Sequence, residues 1–202
     1  MSINCVIPCR AGSKRLKGKN KRMFCGKPLF CWTVELALSI EEIDKIIITT
    51  DDQDILLYSY EHYNDFDNIY IHERTKELAQ DDTPTWKVIE DLFEHKIIDL
   101  DSVIILLQVT SPLRTIEDVE QGISMFIHNK LGVVSVIKKD DWTYIRDGNF
   151  FIDMYENWIK YGTADGQYLL MPKERSNDID TLEDFQKAEK IMGEILDGKN
   201  DQ

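Results

Sequence analysis

Five apolar runs punctuate the chain at residues 4–9, 45–50, 68–72, 102–108 and 132–138, each bounded by polar or turn-forming residues. Segments such as IIITT, VIILLQ and VVSVI are almost unbroken in Ile, Val and Leu. That is the pattern of a strand buried on both faces, since a strand with one wet face would alternate. Between the runs, apolar residues return at helical spacing over 28–41, 53–63, 84–95 and 116–129, and a last helix is expected over 182–195. Start signals support these bounds. Thr83 before Pro84 reads as a cap followed by a first helical residue, and Thr115 with Asp118 and Thr181 with Asp184 read as capping boxes.

Strand and helix alternate through residue 139, so the pattern predicts an α/β fold in one domain spanning 1–202. The expected architecture is a three-layer α/β/α sandwich around a mostly parallel, doubly wound sheet. Ligands then belong at the carboxyl ends of the strands. Residues 140–170 break the alternation: DDWTYIRDG and YGTADGQ flank a short amphipathic piece, NFFIDMYENWIKY, and no element is assigned there. The tail GKNDQ is expected to fray.

Composition narrows the function. With 43% hydrophobic and 30% charged residues the chain can fill a core and wet its surface, which excludes disorder. No apolar stretch is long enough to span a membrane or serve as a secretory signal, so a cytoplasmic protein is expected. A net charge of -13 argues against nucleic acid and anionic membrane as partners. The charge is uneven, however. The first 34 residues hold eight basic residues and no acidic one. A basic island on an acidic body suits one compact anion better than an extended polyanion. Cys5, Cys9, Cys25 and Cys31 crowd the same segment, and their spacing favours packing over a metal site. His62, His72, His95 and His128 are scattered without nucleophile companions and are assigned no catalysis; Phe30, Trp32, Trp86 and Phe93 are read as core.

The first strand runs into RAGSKRLKGKN, where five of eleven residues are basic. Backbone amides beside Gly12 and Gly18 could meet phosphate oxygens, with Arg10, Lys14 and Lys19 neutralising a triphosphate. The loop is not a P-loop, because five residues separate its glycines and Asn20 follows Lys19; a G-x-G-x-x-G dinucleotide fingerprint is absent too. The alternative is a solvated basic turn. Near the C-terminus, Asp178 and Asp180 alternate along an extended segment, so their carboxylates share one side just before a helix. They suit either a hard cation or a helix cap. Gln108 ends a buried strand and must find a polar partner in a site or in the core. Arg114 either holds its loop or touches substrate.

Six segments in order resemble the acylneuraminate cytidylyltransferase family, which activates sialic and related nonulosonic acids as CMP-sugars: IPCRAGSKRLKGKN, GKPLFCWTVELAL, IIITTDD, RTKELAQDDT, LLQVTSPLRT and DIDTLEDFQKAE. The resemblance implies a nucleotidyltransferase, GT-A-like fold and a magnesium-dependent enzyme transferring CMP from CTP to an acidic sugar with release of pyrophosphate. It implies that Arg10, Ala11, Gly12, Ser13, Lys14, Lys19 and Asn20 form the CTP loop. Arg74 and Thr85 would flank the cytosine and ribose, Gln108 would lie near nucleotide and sugar, and Asp178 and Asp180 would hold the magnesium. Arg10, Lys14, Lys19 and Asp180 would be the groups acting on the reacting phosphate.

The chain departs from that family after the strand at 132–138. There a long extension for sugar recognition and dimerisation is reduced to residues 140–149, with Arg146, Asp147 and Gly148 as the remnant of its Arg-Pro-Asn-Gly-Ala signature. Residues 140–170 therefore read as a reduced acceptor segment, and the expected homodimer is weakened. Two other functions remain open: CTP-dependent cytidylylation of a smaller acid such as a phosphonate or phosphate ester, and a non-catalytic nucleotide-binding module.

Overall fold

The computed structural model describes residues 1–200. Its central sheet contains β1 (Ile3–Pro8), β4 (Lys45–Thr50), β5 (Ile69–Glu73), β6 (Val103–Leu107), β7 (Gly132–Lys138), β8 (Tyr144–Met154) and β9 (Gly166–Leu170). Two short strands, β2 (Met23–Phe24) and β3 (Lys27–Pro28), pair with each other outside it. The helices are α1 (Leu29–Leu38), α2 (Gln53–Tyr63), α3 (Thr85–Glu94), α4 (Ile116–Asn129), α5 (Tyr155–Tyr161) and α6 (Leu182–Asn200). The spatial order of the sheet is β5-β4-β1-β6-β8-β7-β9. Only β8 runs against its neighbours, being antiparallel to both β6 and β7.

Burial on both faces explains the unbroken apolar runs. Cys5 and Ile7 of β1, Ile46 and Ile48 of β4, and Ile105 and Leu107 of β6 join one core with α1, α2, α4 and α6. The intervening Val6, Ile47, Ile104 and Leu106 face a second core under α3 and α5. Successive side chains of a strand point to opposite faces, so each apolar run supplies both layers. The cysteines take part in this packing: Cys5, Cys9 and Cys31 are buried, and desolvation pushes the Cys5 thiol up to about 12.

The capping boxes are present. Thr115 and Asp118 exchange hydrogen bonds at the start of α4, and Thr181 and Asp184 do so at the start of α6. The cap expected at Thr83 is not. Pro84 holds the N-cap position of α3 without a side-chain bond, and the Thr83 hydroxyl instead donates to the Glu77 carbonyl. The tail expected to fray is helical through Asn200, while residues 201–202 lie outside the described part. No helix among the described residues is long and apolar enough to cross a membrane.

The unassigned segment resolves into β8, α5 and β9. The amphipathic piece divides at Met154: Phe150 and Ile152 enter the first core and Phe151 the second, as strand alternation demands, before the helix begins. The β7–β8 register shifts between Val134 and Val136, and Ser135 fills the gap, its hydroxyl donating to the Phe150 carbonyl and accepting from the Phe150 amide. Helix α4 seats close on this hairpin. A Cβ at Gly122 would lie 2.7 Å from Phe150 Cε2 and 3.0 Å from Ile152 Cδ1. Helix propensity alone favours alanine there by about 1 kcal/mol. Overpacking costs about 1 to 3 kcal/mol, so Gly122→Ala should lower the denaturant midpoint. A raised midpoint would show that Phe150 yields.

Candidate active site

The chain travels from β1 outward through β4 to β5, returns across the sheet by α3 to β6, and then continues the other way to β7. This reversal leaves a crevice at the carboxyl ends of β1 and β6, where open α/β sheets bind ligands. A cleft of about 600 Å³ opens there. Ten of the residues expected from the sequence line it: Arg10, Ser13, Lys14, Lys19, Asn20, Arg74, Thr85, Gln108, Asp178 and Asp180.

Four elements deliver these side chains. The loop after β1 carries the basic residues, and Gly18 turns it with φ of 63°, a left-handed conformation that glycine adopts without strain. The buried Asn20 donates from Nδ2 to the Arg10 carbonyl at 3.0 Å and braces the loop. Arg74 follows β5 directly and donates to the Thr49 carbonyl at 2.8 Å. Thr85 opens α3. The 178–180 segment is pinned to the turn after β6, where the Ile179 amide donates to the Thr110 carbonyl at 2.8 Å. Ile179 is fully buried, so Asp178 and Asp180 on either side of it turn into the cleft.

Two expected residues fall elsewhere. Ala11 and Gly12 line a neighbouring depression, and the Ala11 amide already donates to Asp51 Oδ1 at 2.8 Å. Gly12 also lacks the positive φ of Gly18, so the loop takes its shape from Gly18, Asn20 and Asp51.

The charges are paired within the chain, which the sequence did not reveal. Arg10 and Lys14 both pair with Asp81. Arg15 Nη1 lies 2.5 Å from Asp180 Oδ2, and Lys19 Nζ lies 3.5 Å from Asp180 Oδ1. Lys21 joins Asp52 and Asp54, and Lys27 joins Glu35. The basic island is thus met by acids drawn from the rest of the chain. Asp81 stands next to Gln80 in RTKELAQDDT, but only the fold shows that it faces the loop.

Arg114 resolves in favour of holding its loop. The guanidinium is buried and donates to the carbonyls of Ser111 and Gln108, and burial lowers its pKa to about 10. Gln108 lines the cleft and meets Gly148: a Cβ there would lie 2.9 Å from Gln108 Oε1. The reduced Arg146–Asp147–Gly148 signature therefore abuts the cleft. Asp147 is buried behind it, accepting from Asn149 and from the Ser176 hydroxyl.

A family model described as Cytidylyltransferase matches residues 4–149, the loop, both switch-point strands and the start of β8 included. The chain belongs to the cytidylyltransferase family. Across 95% of its length this cytidylyltransferase is 30% identical to the CMP-N,N'-diacetyllegionaminic acid synthase of Legionella pneumophila, covering 97% of that protein. The alignment runs over 229 positions, more than the 202 residues present here, so the relative carries segments that this chain lacks. It is 29% identical to the N-acylneuraminate cytidylyltransferase of Escherichia coli over 92% of its own length but spans only 51% of that protein. Among solved structures, a CMP:2-keto-3-deoxy-manno-octonic acid synthetase complexed with CTP superimposes with a TM-score of 0.66 at 15% identity, over 96% of this chain and 99% of that one. The fold is thus that of the nucleotidyltransferases.

Asp178 is open to the cleft, yet protein crowds it on its other sides. Lost hydration, with Asp180 nearby, raises its pKa, against the Thr110 hydroxyl and Lys19, which lower it. A raised carboxyl pKa means that stability is present in full below the unfolded value of about 3.9 and is lost as pH rises through the folded value. Asp178→Asn should therefore raise the melting temperature of the cation-free protein at pH 7 and leave it unchanged at pH 3. An equal effect at both pH values would remove the electrostatic cause.

Proposed function

We propose that this cytidylyltransferase transfers CMP from CTP to a nonulosonic-acid-type sugar, releasing pyrophosphate. The observation that carries the reading is the meeting, in one cleft at the switch point, of the basic loop after β1 with the Asp178 and Asp180 pair. The Legionella and Escherichia relatives are both named for nonulosonic acids, which supports the acceptor class.

In this reading Arg10, Lys14 and Lys19 receive the triphosphate, whose oxygens displace Asp81 from the first two. Arg74 and Thr85 bound the nucleoside on the β5 and α3 side of the cleft, while Gln108 orients the acceptor from the end of β6. Asp178 and Asp180 fit a magnesium ion: they are two hard oxygen donors on one extended segment, aimed into the cleft. Bound there, it would offset negative charge on the phosphates. The acceptor's anomeric hydroxyl attacks the α-phosphorus and gives up its proton to water, the bond from that phosphorus to the bridging oxygen breaks, and the pyrophosphate leaves. Cations fixed in place before the reaction stabilise the developing charge without reorganising.

A second reading, cytidylylation of a smaller acid such as a phosphonate or phosphate ester, draws on the short connection between β7 and β8. The two readings separate when pyrophosphate release from CTP and magnesium is measured over nonulosonic acids, Kdo-like acids and phosphonates. Release is expected with a nonulosonic acid and should be lost in Asp180→Asn, which folds normally because Thr181, not Asp180, caps α6. Release only with phosphonates would establish the second reading. Full activity of Asp180→Asn with a lowered melting temperature would make Asp180 a structural ion-pair partner of Arg15 and Lys19 only.

The ion pairs predict opposite effects in CTP calorimetry. Arg10→Ala should weaken binding by about 1.5 to 3 kcal/mol, the range of charged hydrogen bonds. Asp81→Asn should tighten it, because a competing anion has gone. Weakening in both variants would mean that Asp81 contributes to the bound state.

A further inference from the structure

Away from the cleft, on the outer side of the β5–α3 contact, His72, Asp91 and His95 converge, each offering one ligand atom within 4.8 Å of the others. Asp91 and His95 are four residues apart at the end of α3, so they share one helix face; His72 reaches them from the edge strand β5. We propose that this trio is a second metal site, taking a zinc-class divalent cation that ties β5 to α3.

The geometry suits such an ion. His72 Nε2 lies 3.1 Å from Asp91 Oδ2, and the His95 ring is held beside them by its Nδ1, which donates to the Asp91 carbonyl at 2.8 Å and leaves Nε2 as the ring nitrogen for an ion. Neighbouring ligands on a tetrahedral zinc with bonds of about 2.0 to 2.1 Å stand about 3.3 Å apart. Two imidazoles and one carboxylate are a donor set for zinc, cobalt or nickel rather than for magnesium.

Three further observations favour a cation. Asp91 Oδ2 is buried and has no hydrogen bond, although His72 Nε2 is close. His72 is oriented from behind, its Nδ1 sharing a 3.0 Å hydrogen bond with the Thr49 hydroxyl; ligating histidines are usually fixed through the second ring nitrogen in this way. The trio also sits at the carboxyl end of α3, where the helix dipole favours positive charge. His95 is more than half exposed, with 59% of its side chain accessible, which leaves an entry path and room for a water ligand.

The site is separate from the magnesium pair but braces the same cleft. Thr49 links them: its hydroxyl meets His72 and its carbonyl accepts from Arg74, which lines the cleft. A cation clamping His72 to α3 would also fix the helix whose first residue, Thr85, lines the opposite part of that wall.

Cobalt(II) titration of the chelator-treated full chain tests this, because its visible bands report ligand type and geometry. The expected result is one cobalt per chain with a nitrogen and oxygen spectrum, displaced by zinc, and a melting temperature raised by zinc. His95→Ala, an exposed change that leaves the fold intact, should abolish both effects. Thr49→Val should weaken binding about tenfold or more, as loss of an orienting partner does. Asp180→Asn should leave binding unchanged. Absence of stoichiometric binding, a thiolate charge-transfer band from the cysteines, or equal binding by His95→Ala would overturn the proposal.

Discussion

The cleft exists because the chain reverses its direction of travel across the sheet between β1 and β6. Both strands are buried on both faces, so their central residues are committed to packing and only their carboxyl ends can carry polar chemistry. Every charged group lining the cleft accordingly comes from a segment that leaves a strand or leads into a helix: the loop after β1, Arg74 and Asp81 between β5 and α3, and the stretch before α6. The handedness of one connection matters here. Helices α3 and α4 carry the chain in the same direction across the sheet but lie on opposite faces, so their crossovers have opposite hands. With the β1–α1–β4, β4–α2–β5 and β5–α3–β6 crossovers following the right-handed rule, β6–α4–β7 is the exception. Its result is local: the start of α4 stands beside the 175–180 segment, and Arg175 grips Asp118 with hydrogen bonds of 2.6 and 3.1 Å. That contact anchors the chain just ahead of the two aspartates.

Electrostatics then decides what the free site looks like. Eight basic residues near the N-terminus suggest an open anion trap, but the acidic majority of the chain folds onto them. Solvent screens the exposed pairs among these, which are too weak to lock the loop and enough to spare it strong self-repulsion. A triphosphate, with several charges on a compact frame, exchanges such weak pairs for stronger ones. Lys19 differs from Arg10 and Lys14 in being mostly buried and held by the Ile179 carbonyl, so it links the loop to the aspartate segment before any ligand arrives.

Much of this was legible in the sequence because the signals are local. The core strands follow from unbroken Ile, Val and Leu runs, and the Thr115 and Thr181 boxes from side chains three residues apart. The loop, Gln108 and the aspartates stand out because each ends or begins an element, whereas Arg74 and Thr85 are indicated only by the family resemblance. The features that escaped share a physical reason: they depend on partners distant in sequence. Asp81 pairs with residues 71 and 67 positions away. His72 and His95 look isolated along the chain and meet only because α3 packs beside β5. Strand β8 escaped because its pattern around NFFID fits either period, and its pairing with β6 and β7 settled the matter against helix. Thr83 misled because a Thr-Pro pair resembles a cap even where the helix begins one residue later.

The wall beside Gln108 follows from the same hairpin. Between β7 and β8 the chain turns tightly, the Lys139 amide donating to the Thr143 carbonyl at 2.9 Å, so no long arm leaves this connection to cover the cleft. In its place stands the close approach of Gly148 to Gln108, with Gly148 in a left-handed conformation at φ of 76°. Any side chain there would be strained and would crowd the amide. Asp147 and Asn149, the flanking residues, are turned inward and buried, and they tie the strand to Ser176 close to the aspartate segment. The hairpin thus stands as a wall beside Gln108, which it meets with the backbone of Gly148.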